Sequence, residues 1–233
     1  MRLILPLAIL TLLSACVSMP APAPLPGGIQ GTSMPAQQAI ANFAEVVARV
    51  EPVAEAVCRA ETPQQNCDFA IVIERDPRAG INAFQTLDPR GRPYVIFTLG
   101  LIAEARNTDE LAFVMGHEAA HHIAQHIAVQ RASAREGATR FGEIARSRGE
   151  SPEAIREAVE LGGLYGSRRF SQEHELEADA IGTVIAWRAG FDPMRGAEFF
   201  NRLPDPGAQF LGTHPPNAAR RSVVVRTLAE LRN

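Results

Sequence analysis

Lysine is missing from this sequence: all 23 basic residues are arginine. We read this as a compositional bias and attach no mechanism to it. Aromatic side chains are few, with one tryptophan and two tyrosines. There is no excess of positive charge, and a net charge of -3 argues against a nucleic-acid partner. Long apolar runs are lacking too. Leu3 to Leu13 is almost wholly apolar but is too short to span a bilayer as a mature helix. There is no internal repeat. Cysteine is scarce, at three residues, and no two of them form a CxxC pair. That spacing gives no sign of a zinc knuckle or a dithiol redox site. What is present is 233 residues, enough for one domain with a sizeable core.

The N-terminal segment has the form of a targeting signal. Arg2 provides a short positive region, Leu3–Leu13 the apolar stretch, and Leu13-Ser14-Ala15-Cys16 the small residues a signal peptidase needs. This last quartet resembles the bacterial lipobox, which implies a signal peptide over 1–15 and a lipid on Cys16. Val17 follows, so the aspartate associated with inner-membrane retention is absent. The expected location is the bacterial cell envelope, lipid-anchored in the outer membrane and facing the periplasm. Residues 16–35 hold Pro20, Pro22, Pro24, Pro26, Gly27, Gly28 and Pro35, and read as a linker. The folded domain is then 36–233. With Cys16 lipidated, Cys58 and Cys67 are left as an even pair in an exported chain, which suggests a disulfide.

Within the domain, Ile40, Phe43, Val46, Val47, Val50, Val53 and Val57 mark an amphipathic helix, bent at Pro52. Phe69–Ile73, Ile81–Thr86 and Tyr94–Thr98 read as strands, separated by turns at Asp76-Pro77 and Asp88–Gly91. Leu99–Ala105 reads as a short helix. Beyond residue 108 the pattern is helical: a polar helix or arm over 131–150, a helix from Pro152 that Gly162, Gly163 and Gly166 should weaken, and a strong helix over Ser171–Arg188. Asp192-Pro193 opens a further helix, and Pro216 the last one. The fold class expected is α+β, mainly α-helical, with a small sheet of about three strands.

One stretch carries chemistry. Asp109 to His126 reads DELAFVMGHEAAHHIAQH and contains four of the six histidines. Thr108 can cap it, and Leu111, Val114, Met115, Ala119, Ile123 and Ile127 recur at helical spacing. His117-Glu118-Ala119-Ala120-His121 is HExxH. At about 100° per residue, positions four apart face the same way, so His117 and His121 can share one metal ion. Glu118 stands beside that face, where a general base for an activated water belongs. His122 and His126 form a second pair on a face rotated by about 100°, with no glutamate after His122. All four histidines therefore cannot grip one ion, which argues against simple metal buffering. Five residues recur by chance, so the assignment rests on the rest of the chain.

A catalytic zinc takes three protein ligands and keeps one open position. Ser171-Gln172-Glu173-His174-Glu175-Leu176-Glu177-Ala178-Asp179 is dense in candidates for the third. Glu175 and Asp179 share a helix face, but composition alone does not choose Glu175 over Glu173, His174 or Asp179. HExxH followed by E-x-E-A-D resembles the HtpX/BepA-like zinc metallopeptidases, a gluzincin family that includes the CaaX prenyl endopeptidases. The resemblance implies a zincin-like domain and a single zinc held by His117, His121 and Glu175. It makes Glu118 the base and Asp179 the aspartate that closes the motif. Asn82-Ala83-Phe84, Gly100-Leu101-Ile102 and Thr213-His214-Pro215 with Arg220 are similar to flanking family segments, so the likeness spans about 70 to 221. The family's Pro-Gly-Gly turn is replaced by residues 85–93, which changes the rim of the cleft. Membrane-spanning helices of several members are absent.

The expected activity is cleavage of unfolded or misassembled envelope proteins by a zinc metalloendopeptidase. Protein or peptide chains are the substrates, and the lipid is the tie to the membrane. Tyr94, Val95, Ile96, Phe97 and Thr98 are expected to form an edge strand on which an extended substrate lies. His214, Arg220 and Tyr165 are candidate donors to the oxyanion, and His214 can alternatively plug the open zinc position. The competing reading is a lipid-anchored chaperone or binding module that docks proteins without cutting them. Glu118 separates the two, because a binding module has no use for a base there.

Overall fold

A computed structural model describes residues 35–168, 171–202 and 215–233 of the chain. The targeting segment, Cys16 and nearly all of the linker lie outside the described residues, as does His214.

The first helix, α1 (Ala36–Glu61), buries Ala39, Phe43, Val46, Val50, Ala54 and Val57 at three- and four-residue spacing. Ile40 falls off this stripe and is exposed. The helix continues through Pro52. Three short strands follow: β1 (Ala70–Glu74), β2 (Ala83–Leu87) and β3 (Pro93–Thr98). They form one sheet in the order β1-β3-β2, with β1 parallel and β2 antiparallel to β3. The expectation that Tyr94–Thr98 is an edge strand is therefore corrected. The Asp88–Gly91 turn folds β2 back against β3, with Gly91 N–H donating to Asp88 O over 3.0 Å. Gly91 takes a positive φ of 83° there, which only glycine adopts without strain. With β1 on its other side, β3 has both hydrogen-bonding edges occupied. The edge facing the helical part of the domain belongs to β2.

Val95 and Phe97 alternate inward from β3 and are fully buried against α1, where the Phe43 and Phe97 rings lie 5.0 Å apart. Thr98 ends the strand and caps the short helix α2 (Leu99–Glu104), accepting from the Leu101 N–H over 3.2 Å. Helix α3 (Thr108–Ile123) then runs through the centre of the domain and is buried along nearly its whole length. Its cap is Asn107, whose side chain accepts from the Glu110 N–H at 3.0 Å. Thr108, the residue expected to cap, is already helical. Glu110 does more than favour the helix dipole. It is buried and takes two 2.6 Å hydrogen bonds from Arg202.

Helix α3 stops at Ile123, and α4 (His126–Ser147) starts after a sharp turn at Gln125. Helices α4 and α5 (Pro152–Arg168) form a hairpin. The glycines expected to weaken or end α5 do not end it. A side chain at Gly162 or Gly166 would overlap the backbone of α4 near Gly137 and Ser133. These glycines let the two helices touch, and α5 continues to Arg168. Helix α6 (Ser171–Arg188) packs on α3, followed by α7 (Pro193–Gly196), a 3-10 turn over Ala197–Arg202, and α8 (Asn217–Leu231).

Candidate metal centre and active site

Two glycines set the position of the site. A Cβ on Gly116 would lie 2.9 Å from Gly182 O, and one on Gly182 would lie 2.8 Å from His117 N. Helices α3 and α6 thus meet backbone to backbone at the residue preceding HExxH. The contact brings Glu175 and Asp179 of α6 up to the histidine face of α3.

Two histidine nitrogens and one carboxylate converge there. His117 Nε2 and His121 Nε2 are 3.1 Å apart. Glu175 Oε2 lies 3.5 Å from His117 Nε2, and Glu175 Oε1 lies 3.4 Å from His121 Nε2. In a tetrahedral site with bonds of about 2.0–2.1 Å, neighbouring donors stand ~3.3 Å apart. The triangle therefore has the size a zinc-like ion requires. Its chemistry agrees. His117 Nδ1 lies 2.9 Å from Asp179 Oδ1, a contact that needs a proton on Nδ1. In the neutral ring Nε2 is then a lone pair, and two imidazole lone pairs and a carboxylate point into one space. A cation resolves that arrangement. Glu173 is exposed, so of the alternatives open in the sequence it is Glu175 that completes the group.

Asp179 is completely buried and hydrogen-bonds His117 from behind. Arg220 of α8, also buried, grips it with two bonds, Nε to Oδ2 at 2.8 Å and Nη2 to Oδ1 at 2.6 Å. The guanidinium is backed by the Phe200 ring, 3.8 Å from its centroid. Burial by itself would raise the Asp179 carboxyl, but hydrogen bonds from His117 and Arg220 hold it below the ordinary carboxylate range. Arg220 thus spends Nε and Nη2 on Asp179, with Glu175 Oε2 3.6 Å from Nη2, and its side chain also lines the cavity beside Glu118. This clamp was not visible from spacing, since Arg220 is 41 residues from Asp179.

Glu118 is on α3 beside the triangle. Burial chiefly, and the Glu175 charge, push its carboxyl up to about 7, opposed by the His117 and Arg220 charges and a hydrogen bond from the Gln85 backbone of β2. Burial and the charge on His117 push His121 down, while His117 moves up because its bonds to Asp179 and Glu175 outweigh burial. A proton entering this site would therefore reside on His117, in competition with a cation. A cavity of about 350 Å³ adjoins the site, lined by Asn82, Ala83, Val114, Phe200 and the His117 and Glu118 side chains, among others. Asn82-Ala83-Phe84 accordingly lies where β2 enters the cleft.

The remaining candidates separate. His122 turns away from the triangle, with Nε2 2.8 Å from Asn66 O and its ring edge-on to Phe69. Tyr165 lies on α5 against Phe141, in the α4–α5 groove. Cys58 and Cys67 form a disulfide that closes the loop between α1 and β1. Gln65 in that loop bonds Ile123 O at the end of α3.

Comparison with known proteins agrees with this geometry. Residues 41–227 match the model of peptidase family M48. The beta-barrel assembly-enhancing protease of Escherichia coli K12 is 32% identical over 154 residues, which are 60% of this chain and 30% of that protein. The mitochondrial metalloendopeptidase OMA1 of Arabidopsis thaliana is 29% identical over 155 residues, 63% of this chain and 29% of the relative. OMA1 of Schizosaccharomyces pombe is 30% identical over 162 residues, 67% of this chain and 45% of the relative. The chain thus spans less than half the length of these relatives. The family match includes both the HExxH helix and the α6 carboxylates, and the chain belongs to peptidase family M48.

Proposed function

We propose that the protein is a zinc-dependent endopeptidase of the bacterial envelope, tethered by lipid on Cys16 to the outer membrane and facing the periplasm. Unfolded or misassembled proteins are its substrates. The observation that carries this reading is the donor triangle of His117, His121 and Glu175 with Glu118 alongside. The Escherichia coli relative is named as a protease that enhances beta-barrel assembly, which supports action on proteins. Among the described residues no helix is long and apolar enough to cross a membrane, so an anchor elsewhere would tie the chain to it.

A zinc ion held by His117, His121 and Glu175 supplies a Lewis acid that acidifies water and polarises the scissile carbonyl. The residues do the rest. Asp179, fixed by Arg220, keeps the His117 proton on Nδ1, so that the Nε2 lone pair would be left for an ion. Glu118 accepts the proton of the attacking water and passes it to the leaving amine. Edge strand β2 receives the substrate. Asn82 O accepts from the Thr98 N–H, which makes residues 84 and 86 the next hydrogen-bonded positions along β3. The N–H and C=O groups of Ala83 and Gln85 then point outward, the Gln85 N–H onto Glu118, and an extended peptide can add there as a further strand.

The test is metal content and cleavage of casein by the purified chain. His117→Ala, His121→Ala and Glu175→Ala should each lose the metal. Glu118→Gln should keep metal and fold but lose at least ~10²-fold in rate. A wild-type chain that holds zinc and binds casein without cutting it would favour the chaperone reading. Cys16→Ser should leave the membrane fraction, and an unchanged distribution would locate the anchor elsewhere.

A further inference from the structure

His117 is supported by Asp179 and Arg220. His121 has a different support. Its Nδ1 lies 2.9 Å from His126 Nδ1, and His126 Nε2 lies 3.1 Å from Glu177 Oε2. The proton positions follow from the two ends. A neutral imidazole carries one N–H. If His121 Nε2 faces an ion, its proton is on Nδ1 and is donated to His126. His126 Nδ1 must then be the bare acceptor, which leaves its proton on Nε2, donated to the Glu177 carboxylate. With both rings neutral, no other arrangement satisfies both contacts.

The backbone is bent to make this contact. Had α3 continued, residue 126 would stand about 140° around the axis from residue 121, at about 100° per residue, and could not meet it. Instead α3 stops, and Gln125 takes φ 58°, the only non-glycine positive φ among the described residues. A left-handed residue of this kind costs roughly 1–2 kcal/mol. The turn also breaks the His122/His126 spacing that a continuous helix would give. It brings His126 back over the site as a buried ring, with the His174 ring stacked on it at 4.4 Å.

We propose that His126 is a positioning residue for the metal centre, and that Glu177, the middle acid of the E-x-E-A-D run, completes a His121–His126–Glu177 relay. The relay holds the His121 ring in one tautomer and one orientation, with its Nε2 lone pair on the ion. The inference rests on the metal-site reading above and assigns roles to two residues which that reading leaves idle.

Zinc affinity of the full-length chain, measured by competition with a chromophoric chelator, tests it. His126→Phe should weaken zinc binding by about 10- to 100-fold. His126→Asn should retain most of the affinity, because its side-chain oxygen can occupy the Nδ1 position and accept from His121. His126→Gln places its amide at the Nε2 position, within reach of Glu177 but not of His121, and should bind as weakly as Phe. The Asn–Gln comparison stands even if Phe does not fold. Glu177→Ala should weaken binding in the same direction as Phe, and His117→Ala should abolish it. Equal affinity in the Asn and Gln variants, or wild-type affinity in Phe, overturns the relay while loss of binding in His117→Ala leaves the metal site standing. A wild-type chain that binds no zinc overturns both.

Discussion

Glu118 shows how one residue's surroundings set its chemistry. Its carboxyl is pushed up to about 7, chiefly by burial. In the proposed role of general base Glu118 must be unprotonated, so activity should fall as the pH drops through this value. A cation on the adjacent histidines favours the carboxylate and draws the value down. The acidic limb of kcat/KM is therefore expected at or below about 7. A profile that stays flat from neutrality down through the carboxylate range would remove Glu118 from this role. Asp179 is the contrasting case. It too is buried, yet it stays a carboxylate because Arg220 and His117 both donate to it.

Among the elements, the α3–α6 crossing and strand β2 frame the candidate site. Gly182 lets α6 approach until its backbone meets His117. In Gly182→Val the added branches have only backbone to displace, so the helices must part. Overpacking of this kind costs ~1–3 kcal/mol, and it would also move Glu175 and Asp179 off the histidines. The expected result is a lower urea midpoint together with weaker zinc binding, and unchanged values for both would mean the crossing tolerates a side chain. Strand β2 presents the Gln85 N–H to Glu118 and to the cleft. Proline at 85 removes an N–H that does not pair with β3, so the sheet should survive it. Glu118 would lose its hydrogen bond from this N–H, which should alter kcat, and an extended substrate would lose main-chain pairing along β2, so KM should rise as well. An unaltered KM for a casein-derived peptide would mean that substrate does not lie along β2.

For the molecule as a whole, a metal ion would join α3 to α6. Anything bound only by the folded state adds RT ln(1 + [L]/Kd), ~2.7 kcal/mol at a hundred times Kd. Chelation should lower the thermal midpoint, and added zinc should restore it in proportion to the logarithm of its concentration. A midpoint indifferent to both would contradict a metal tie between the two helices.

Much of this was readable along the chain because it depends on short-range geometry. The 3.6-residue period put His117 and His121 on one face and Glu118 beside them, and it marked α1. The three strands were legible as β-branched runs between turn residues, although their order was not. Two motifs in sequence order were enough to suggest the family that the comparison establishes. What only the tertiary structure decided are contacts between distant segments and the places where a local rule yields to packing. No period in the sequence says that Arg220 clamps Asp179 across 41 residues. Strand order depends on which edge each turn uses, so β3 became the centre of the sheet and β2 its free side. Glycine is a helix breaker by propensity, but Gly162, Gly166 and Gly182 stand within helices because close approach of a second backbone outweighs that loss. The four histidines from 117 to 126 read as one helix. They divide at Gln125, where a single left-handed residue turns His126 back onto His121, a torsion that the identity of Gln125 would not have suggested.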